Sequence, residues 1–543
     1  MDSTELRKAR GAFFTPTEMS SYLVDWAVRS PDDRVLEPSC GEASFLLAAA
    51  RKLKHLGANP LFWSKQLQGV EIFESSALQA KNLLEDENFD AQISVGDFFE
   101  EDSLGIYDAV VGNPPFIRYQ NFSGDARTKS LEAALSQGVR LPKLASSWAA
   151  FAIKAATHVA PNGRLALVLP AELLSVNYAK EVRRYLLRRF KTVRLIMFEE
   201  RVFPGVLEEV VLLLAEGTGG ADCLEVYQTR GLQTLSSVEA ATWTTHSPSN
   251  DDKWTPALIS QDAFATYQTI VEDKFEPLAS WGGAYLGAVT GNNKYFSMTK
   301  ADARKHGLRE TDFVRISPPG TRHLRGLVFT DSVWNQLAGE GSRCLLFRPN
   351  GNLSSAAKSY IEQGERSGIS SAYKCRVREP WWRVPLVDAP DLLLTYMNHD
   401  RPRLITNRAS IHILNSLYGV RIISGRKKLG RDLLPIACLN SVTLFGSEIV
   451  GRAYGGGLLK MEPRESENLP VPSANRIRAN EKDLRSIKPQ LSRSLRGGNL
   501  KQAVEAVDEI LLAEISDREL DALRLARELL FERRRTRGKI GKN

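Results

Sequence analysis

At 543 residues the chain is too long for one ordinary hydrophobic core, and about two to four domains are expected. Hydrophobic residues at 43% and charged residues at 25% exclude a disordered chain and describe a soluble globular one. With 72 Lys plus Arg against 64 Asp plus Glu the net charge is +8, which favours a polyanionic partner without naming it.

The opening MDSTELRKARGAFF lacks an apolar signal core and no stretch reaches bilayer length, so a cytoplasmic protein with no membrane partner is expected. The cysteines, Cys40, Cys223, Cys344, Cys375 and Cys438, are scattered without a CxxC pair or a histidine at ligand spacing; neither a metal site nor a disulfide frame is expected. From Arg34 to about Glu216 short apolar runs alternate with amphipathic segments, the pattern of an α/β domain with a mostly parallel sheet. Strands are predicted at RVLEPS, LQGVEIF, AQISVGD, YDAVVGN, RLALVLP, VRLIMFEE and EEVVLLLAE. The short VFPGVLE between the last two suits a hairpin, so a Rossmann-like seven-stranded mixed sheet with a reversed edge is expected.

A further strand is predicted at Leu224–Gln228, and the polar, turn-rich THSPSNDDKW (Thr245 to Trp254) marks a boundary. Residues 1–245 are therefore read as a catalytic domain and 246–474 as a mixed β-rich domain with basic loops and glycine clusters. Residues 475–543 are read as a charged helical tail, an amphipathic hairpin packed on the body.

VLEPSCGEASFLLAAA (Val35 to Ala50) reads as a strand, a turn at Gly41 and a helix start, the place where a doubly wound sheet binds a nucleotide-like ligand. Glu42-Ala43 follow Gly41, so there is no GxGxxG. Glu71 ends the second strand, where a carboxylate can accept both ribose hydroxyls; Asp97 ends the third, where one can accept from an adenine amino group, and Phe98 can offer its ring. The fourth strand ends in Asn113-Pro114-Pro115-Phe116. The exocyclic amine of adenine or cytosine is a poor nucleophile because its lone pair is delocalised into the ring. The Asn113 side-chain oxygen and the Pro114 carbonyl, set by the double-proline turn, can accept both amine hydrogens and free that pair. Phe116 offers a face for a base that has left its stack.

These segments resemble the S-adenosylmethionine-dependent amino methyltransferases of DNA, specifically the gamma class of N6-adenine enzymes of restriction-modification systems. The resemblance is strong over residues 11 to about 216 and looser over 280–472. FFTPTEMSSYLVDW (Phe13 to Trp26) is similar to the family's N-terminal cofactor motif, which in the gamma order precedes the first strand. The resemblance implies S-adenosyl-L-methionine as cofactor and double-stranded DNA as substrate. It implies Thr15 and Thr17 at the methionine portion, Glu37 with the Pro38, Ser39, Cys40 and Gly41 backbone at the methionine end, Glu71 at the ribose, and Asp97 with Phe98 at the adenine. Asn113, Pro114 and Phe116 would hold the target base, and Phe203 is similar to a position that packs against the flipped base. Two departures stand out. Ala43 replaces a common glycine and tightens the cofactor loop, and Phe116 stands where many members have Tyr, which keeps stacking and loses a phenolic hydrogen bond.

AYLGAVTGNNKYFSM (Ala284 to Met298) resembles a stretch that opens the family's recognition domain, and AYGGGLLKMEPRESENLPVP (Ala453 to Pro472) one that ends it. TRHLRG, KCRVREPWWRVP and SGRKKLGRD lie between, basic clusters suited to phosphates and base edges. Competing readings are an N4-cytosine or RNA amino methyltransferase, a protein glutamine methyltransferase, a specificity subunit with a degenerate methylase fold, and a dinucleotide oxidoreductase, which leaves NPPF unexplained. No PD…(D/E)xK constellation is present, so modification without cleavage is expected, by a nucleoid-associated monomer whose cognate restriction endonuclease is not necessarily bound.

Overall fold

The computed structural model describes residues 15–101, 104–117, 121–200, 202–203, 209–240, 243–247, 253–454 and 457–539. The chain divides into two compact units, the first comprising residues 1–261 and 536–543 and the second spanning Asp262–Arg535.

The first unit is built on strands β1 (Val35–Glu37), β2 (Leu67–Glu71), β3 (Gln92–Val95), β4 (Tyr107–Gly112), β5 (Val159–Pro170), β6 (Phe190–Phe198), β7 (Val210–Thr218), β8 (Leu224–Thr229) and β9 (Thr244–His246). Its helices include α1 (Thr17–Ala27), α2 (Ser44–Leu56), α3 (Glu74–Asp86), α4 (Asp125–Ser136), α5 (Ser147–Thr157) and α6 (Lys180–Arg189). The sheet order is β3-β2-β1-β4-β5-β7-β6-β8-β9. Strands β3, β2, β1, β4 and β5 pair in parallel, while β7 is antiparallel to both β5 and β6. All seven expected strands are present, but the sheet has nine, and the reversed strand is not at its edge. β7 is enclosed because it inserts between β5 and β6; the free side of β6 is taken by β8 in parallel, and β9 closes on β8 antiparallel.

Both faces of the sheet are covered, which is why its strands read as continuous apolar runs rather than alternating ones. Ala109, Val111, Ala166, Val168, Leu212 and Leu214 share a core with α1 and α2. The intervening Val110, Leu165, Leu167 and Leu213 point to the other face and are equally buried. Helix α2 buries Phe45, Leu46, Ala49, Ala50 and Leu53, a one-sided stripe at helical spacing, and stops at Gly57, whose φ of 90° is a left-handed cap. It closes tightly on β2 because position 69 is glycine: a Cβ there would lie 2.8 Å from Leu46 Cδ1.

The second unit contains a five-stranded sheet in the order Gly282–Leu286, Tyr418–Ile422, Leu392–Leu394, Leu404–Asn407, Val328–Phe329, with smaller sheets and helices around it. The C-terminal helices Glu481–Arg496, Leu500–Leu511 and Asp517–Lys539 follow. They are tied into the unit by buried charge. Asp508 accepts from the Ser441 backbone N–H at 2.8 Å and the Ser441 hydroxyl at 2.6 Å. Arg534, 3% exposed, meets Glu448, 4% exposed, through two parallel bonds of 3.1 and 2.8 Å. No single helix among the described residues is long and apolar enough to cross a membrane.

Removing one partner of such a pair leaves a buried charge uncompensated. Arg534→Ala is expected to lower the stability of the second unit by roughly 3–5 kcal/mol, measured by denaturant unfolding; a loss below ~1 kcal/mol would show that the C-terminal helix is not anchored by this pair.

Candidate active site

Strands β3, β2, β1 and β4 run parallel side by side, so the segments leaving their carboxyl ends emerge along one edge. This edge gathers most of the residues singled out from the sequence. Glu37 is 2% exposed, and its Oε2 accepts from the Leu46 N–H in the first turn of α2 at 2.9 Å. Burial pushes its carboxyl well above the usual range; the Leu46 N–H opposes the shift and the nearby Glu71 charge adds to it. Glu71 is 7% exposed and bridges two loops: Oε2 accepts from the Gly41 N–H at 2.9 Å and Oε1 from the Phe73 N–H at 3.0 Å. Asp97 Oδ1 accepts from the Phe99 N–H at 2.9 Å, closing a local turn after β3.

Between β1 and α2 the chain passes through buried Pro38, half-buried Ser39, buried Cys40 and Gly41. The Cys40 N–H reaches Val70 O at 2.9 Å, and burial raises its thiol far above the ordinary value, with Glu37 and Glu71 adding to the shift. Gly41 has φ of 49°, and a Cβ built there would meet no atom within 4 Å. The backbone of this turn therefore borders open space, flanked by the Glu71 carboxylate. That donor and acceptor set fits a nucleoside carrying an amino-acid end: carboxylates for ribose and adenine, and exposed loop backbone for the rest.

The fourth strand end carries the amide. Asn113 Nδ2 donates to Thr15 Oγ1 at 3.1 Å, which fixes the nitrogen end of the side chain and so sets where its oxygen points. Thr15 is buried, while Thr17 is the exposed first residue of α1. Ser39 Oγ donates to Asn113 O at 3.4 Å, tying the cofactor-side turn to the NPPF turn. Pro114 is buried. One residue of α5 then holds the turn that follows: the Ser147 hydroxyl donates to Pro115 O and accepts from the Ile117 N–H at 2.9 Å, and the Ser147 N–H donates to Ile117 O at 3.1 Å.

The aromatic residues separate into three placements. Phe116 is half-buried against the core that α1 and α2 share with the sheet. Phe203, expected against a flipped base, is 4% exposed and a member of that same core. Phe98, expected beside adenine, is 3% exposed, with its ring 4.8 Å from Phe151 and 5.7 Å from His158; core packing is the role its ring has here. Two residues were missed from the sequence. Ile72 stands 54% exposed immediately after Glu71, an aliphatic surface where a flat ring could rest, and its signal was an apolar residue directly following a strand-end carboxylate. Ser147 carried no signal at all, being far from NPPF in sequence. Among the described residues no group of His, Cys, Asp and Glu is arranged to hold a metal, and the five cysteines form no disulfide.

The raised Glu37 carboxyl has a consequence for stability. A carboxyl with a folded value above its unfolded one contributes fully below the ordinary 4.5 and loses that contribution as pH rises through the folded value. Glu37→Gln keeps an acceptor for Leu46 and removes the titration, so its melting temperature relative to wild type should become more favourable from pH 5 to pH 8. A pH-independent difference in thermal melts would refute this.

Comparison with known proteins matches residues 2–225 to the N-6 DNA Methylase family and residues 251–512 to the family described as Type II methyltransferase M.Eco57I, C-terminal domain. The chain is 24% identical to the Type II methyltransferase M.AccI of Acinetobacter calcoaceticus over 85% of each chain, and 24% identical to the Type II methyltransferase M.XamI of Xanthomonas campestris pv. amaranthicola over 86% of each. Its fold is similar to that of the Type IIL restriction-modification enzyme MmeI, solved in complex with DNA, with TM-score 0.58 and 14% identity over 95% of this chain and 75% of that one. With carboxylates and an NPPF amide assembled on one sheet edge and both halves matched in this way, residues 2–225 are similar to the N-6 DNA methylases and the chain is an S-adenosylmethionine-dependent DNA methyltransferase of the restriction-modification type.

Proposed function

We propose that the protein is a site-specific, gamma-class enzyme that methylates N6 of an adenine flipped out of duplex DNA. The observation that carries this reading is the Asn113 amide at the end of β4, oriented by Thr15 and continued by a turn braced at Ser147. Glu71, Asp97 and the Pro38–Gly41 backbone hold the cofactor, with Glu37 fixing the start of α2 behind that turn. Bound there, S-adenosylmethionine supplies an already activated methyl group, so the protein's work is placement. The Asn113 oxygen and the Pro114 carbonyl accept the two amine hydrogens and draw the nitrogen toward tetrahedral geometry, which restores its lone pair. Phe116 holds the extruded base by its face. No general base is required before attack, because the nitrogen becomes strongly acidic only after it gains the methyl group.

In this reading residues 1–245 catalyse, residues 246–474 recognise the target sequence, and residues 475–543 support the recognition domain. The modification protects host DNA from a cognate endonuclease, and the enzyme acts as a monomer on nucleoid DNA. Adenine is favoured over cytosine by the family match and by NPP.

Asn113→Ala should abolish methyl transfer to DNA while changing duplex affinity by less than about threefold, since it removes an interaction made chiefly in the transition state. Near-normal turnover, scored by sequencing DNA for N6-methyladenine, would sink the mechanism. Ser147→Ala leaves Pro115 O and Ile117 N–H without their partner and should lower kcat by about 10- to 100-fold through misplacement of the turn, with cofactor affinity unchanged. A rise in the KM for DNA with kcat intact would contradict a positioning role for Ser147.

A further inference from the structure

The sequence offers three basic clusters in the second half of the chain, alike in composition, and the structure separates them. SGRKKLGRD is largely neutralised within its own unit. Arg426 pairs with Glu276 at 2.6 Å, Lys427 with Asp391 at 3.2 Å, and Asp432 draws Arg408 and Arg485 to 3.2 and 3.3 Å. TRHLRG exposes Arg322 and Arg325, but its middle is internal: His323 meets Ser317 Oγ at 2.8 Å and Leu324 is buried. In the first only Lys428 has no ion pair among the described residues, near a single exposed aliphatic side chain, Ile423, and in the second no large exposed apolar side chain adjoins the arginines.

KCRVREPWWRVP joins cations without ion pairs to exposed apolar side chains. Tyr373 is 65% exposed and Val377 60%, and Lys374, Arg376 and Arg383 around them are exposed and form no ion pair among the described residues. The platform beneath is fixed. Cys375 is fully buried in a cluster with Phe296 and Leu346, against which Trp381 and Trp382 pack. Arg378 turns inward, donating to Thr290 O and Lys374 O with its guanidinium 5.4 Å over the Phe296 ring, and Trp381 Nε1 donates to Glu365 at 2.9 Å. A short helix, Tyr373–Arg376, and its C-cap Val377 thus present one aromatic and one aliphatic side chain ringed by cations on a packed base. Exposed apolar groups ringed by unneutralised cations match a polyanion that also offers flat or apolar surface, since the cations release its counterions and the apolar groups leave water on contact.

We propose that this Tyr373–Arg383 surface is a duplex-DNA contact of the second unit, resting on the DNA methyltransferase reading above: Lys374, Arg376 and Arg383 bind backbone phosphates, and Tyr373 with Val377 pack on sugar or base edges. The occupant is chosen by charge complementarity and by the pairing of unneutralised cations with an exposed ring.

The test measures full-length protein binding to a duplex that the wild type methylates, across 50–200 mM salt. Lys374→Ala with Arg376→Ala should reduce the slope of log affinity against log salt by about 2 and weaken binding by about 10-fold, because two counterion-releasing contacts are gone. Tyr373→Ala should weaken binding with the wild-type slope. Arg426→Ala with Lys427→Ala, whose charges are already paired, should keep the wild-type slope. Circular dichroism and thermal melting of each full-length variant confirm its fold. A wild-type slope in the Lys374/Arg376 double variant overturns this surface while methylation by the wild type leaves the methyltransferase reading standing; a slope change on duplex RNA alone overturns it as well. A wild-type protein that neither binds nor methylates duplex DNA overturns both.

Discussion

Parallel strands that end side by side leave the loops after them with backbone N–H groups that no neighbouring strand can accept. In this protein the strand-end carboxylates take that load. Glu37 holds the first turn of α2 at Leu46, Glu71 holds Gly41 and Phe73, and Asp97 holds Phe99. A carboxylate offers about four lone-pair positions, so bonding one or two backbone donors fixes its direction and still leaves acceptor capacity for a ligand. The acids are therefore ordered by the loops they order. Glu37 lies deepest, and what it holds is the first turn of α2 behind the Pro38–Gly41 segment.

The same economy governs the NPPF turn. Two prolines remove two donors, so what must be satisfied is the Pro115 carbonyl and the Ile117 N–H, and a single buried serine on α5 answers both. Helix α5 is itself held: it packs on β5, and Trp148, next to Ser147, is fully buried with its Nε1 donating to Tyr178, whose hydroxyl donates to Glu172. The hydrogen bonds from Glu172 to Trp148 and from Ser147 to Pro115 meet at adjacent residues of α5, which braces the turn as preorganised acceptors need.

What could be read before folding, and what could not, follows from the range of the interactions involved. The seven strands were legible because both faces of the sheet are covered, so each strand is an apolar run bounded by turns. The nine-strand extent was not, because pairing of β8 along β6 is a choice between edges that no local pattern encodes. Asn113, Glu71 and Asp97 were legible as residue types at strand ends. The inward turn of Phe98 was not, since an aromatic one residue past a strand can face either the ligand or the core, and here Phe151 and His158 decide. Likewise, three basic segments became distinct only when Glu276 and Asp391 were found beside the cations of one of them.

Ala43 shows how firmly the cofactor turn is set. It adopts φ 61° and ψ 30°, the left-handed region that costs an L-residue roughly 1–2 kcal/mol, and its side chain is fully buried. An alanine persists in such a conformation only where its surroundings over-determine it. They do so here: Ala43 N–H donates to Cys40 O at 2.6 Å, Leu47 N–H donates to Ala43 O at 2.8 Å, Cys40 is tied to Val70, and Gly41 to Glu71. A looser turn would relax the strain by moving away from Glu71. The turn is instead held against Glu71 by bonds within the chain itself, and a turn fixed in this way lowers the ordering cost of binding. A glycine at this position would remove the strain but also the methyl group, which is fully buried in the core shared with α2, so packing and backbone ease oppose each other here.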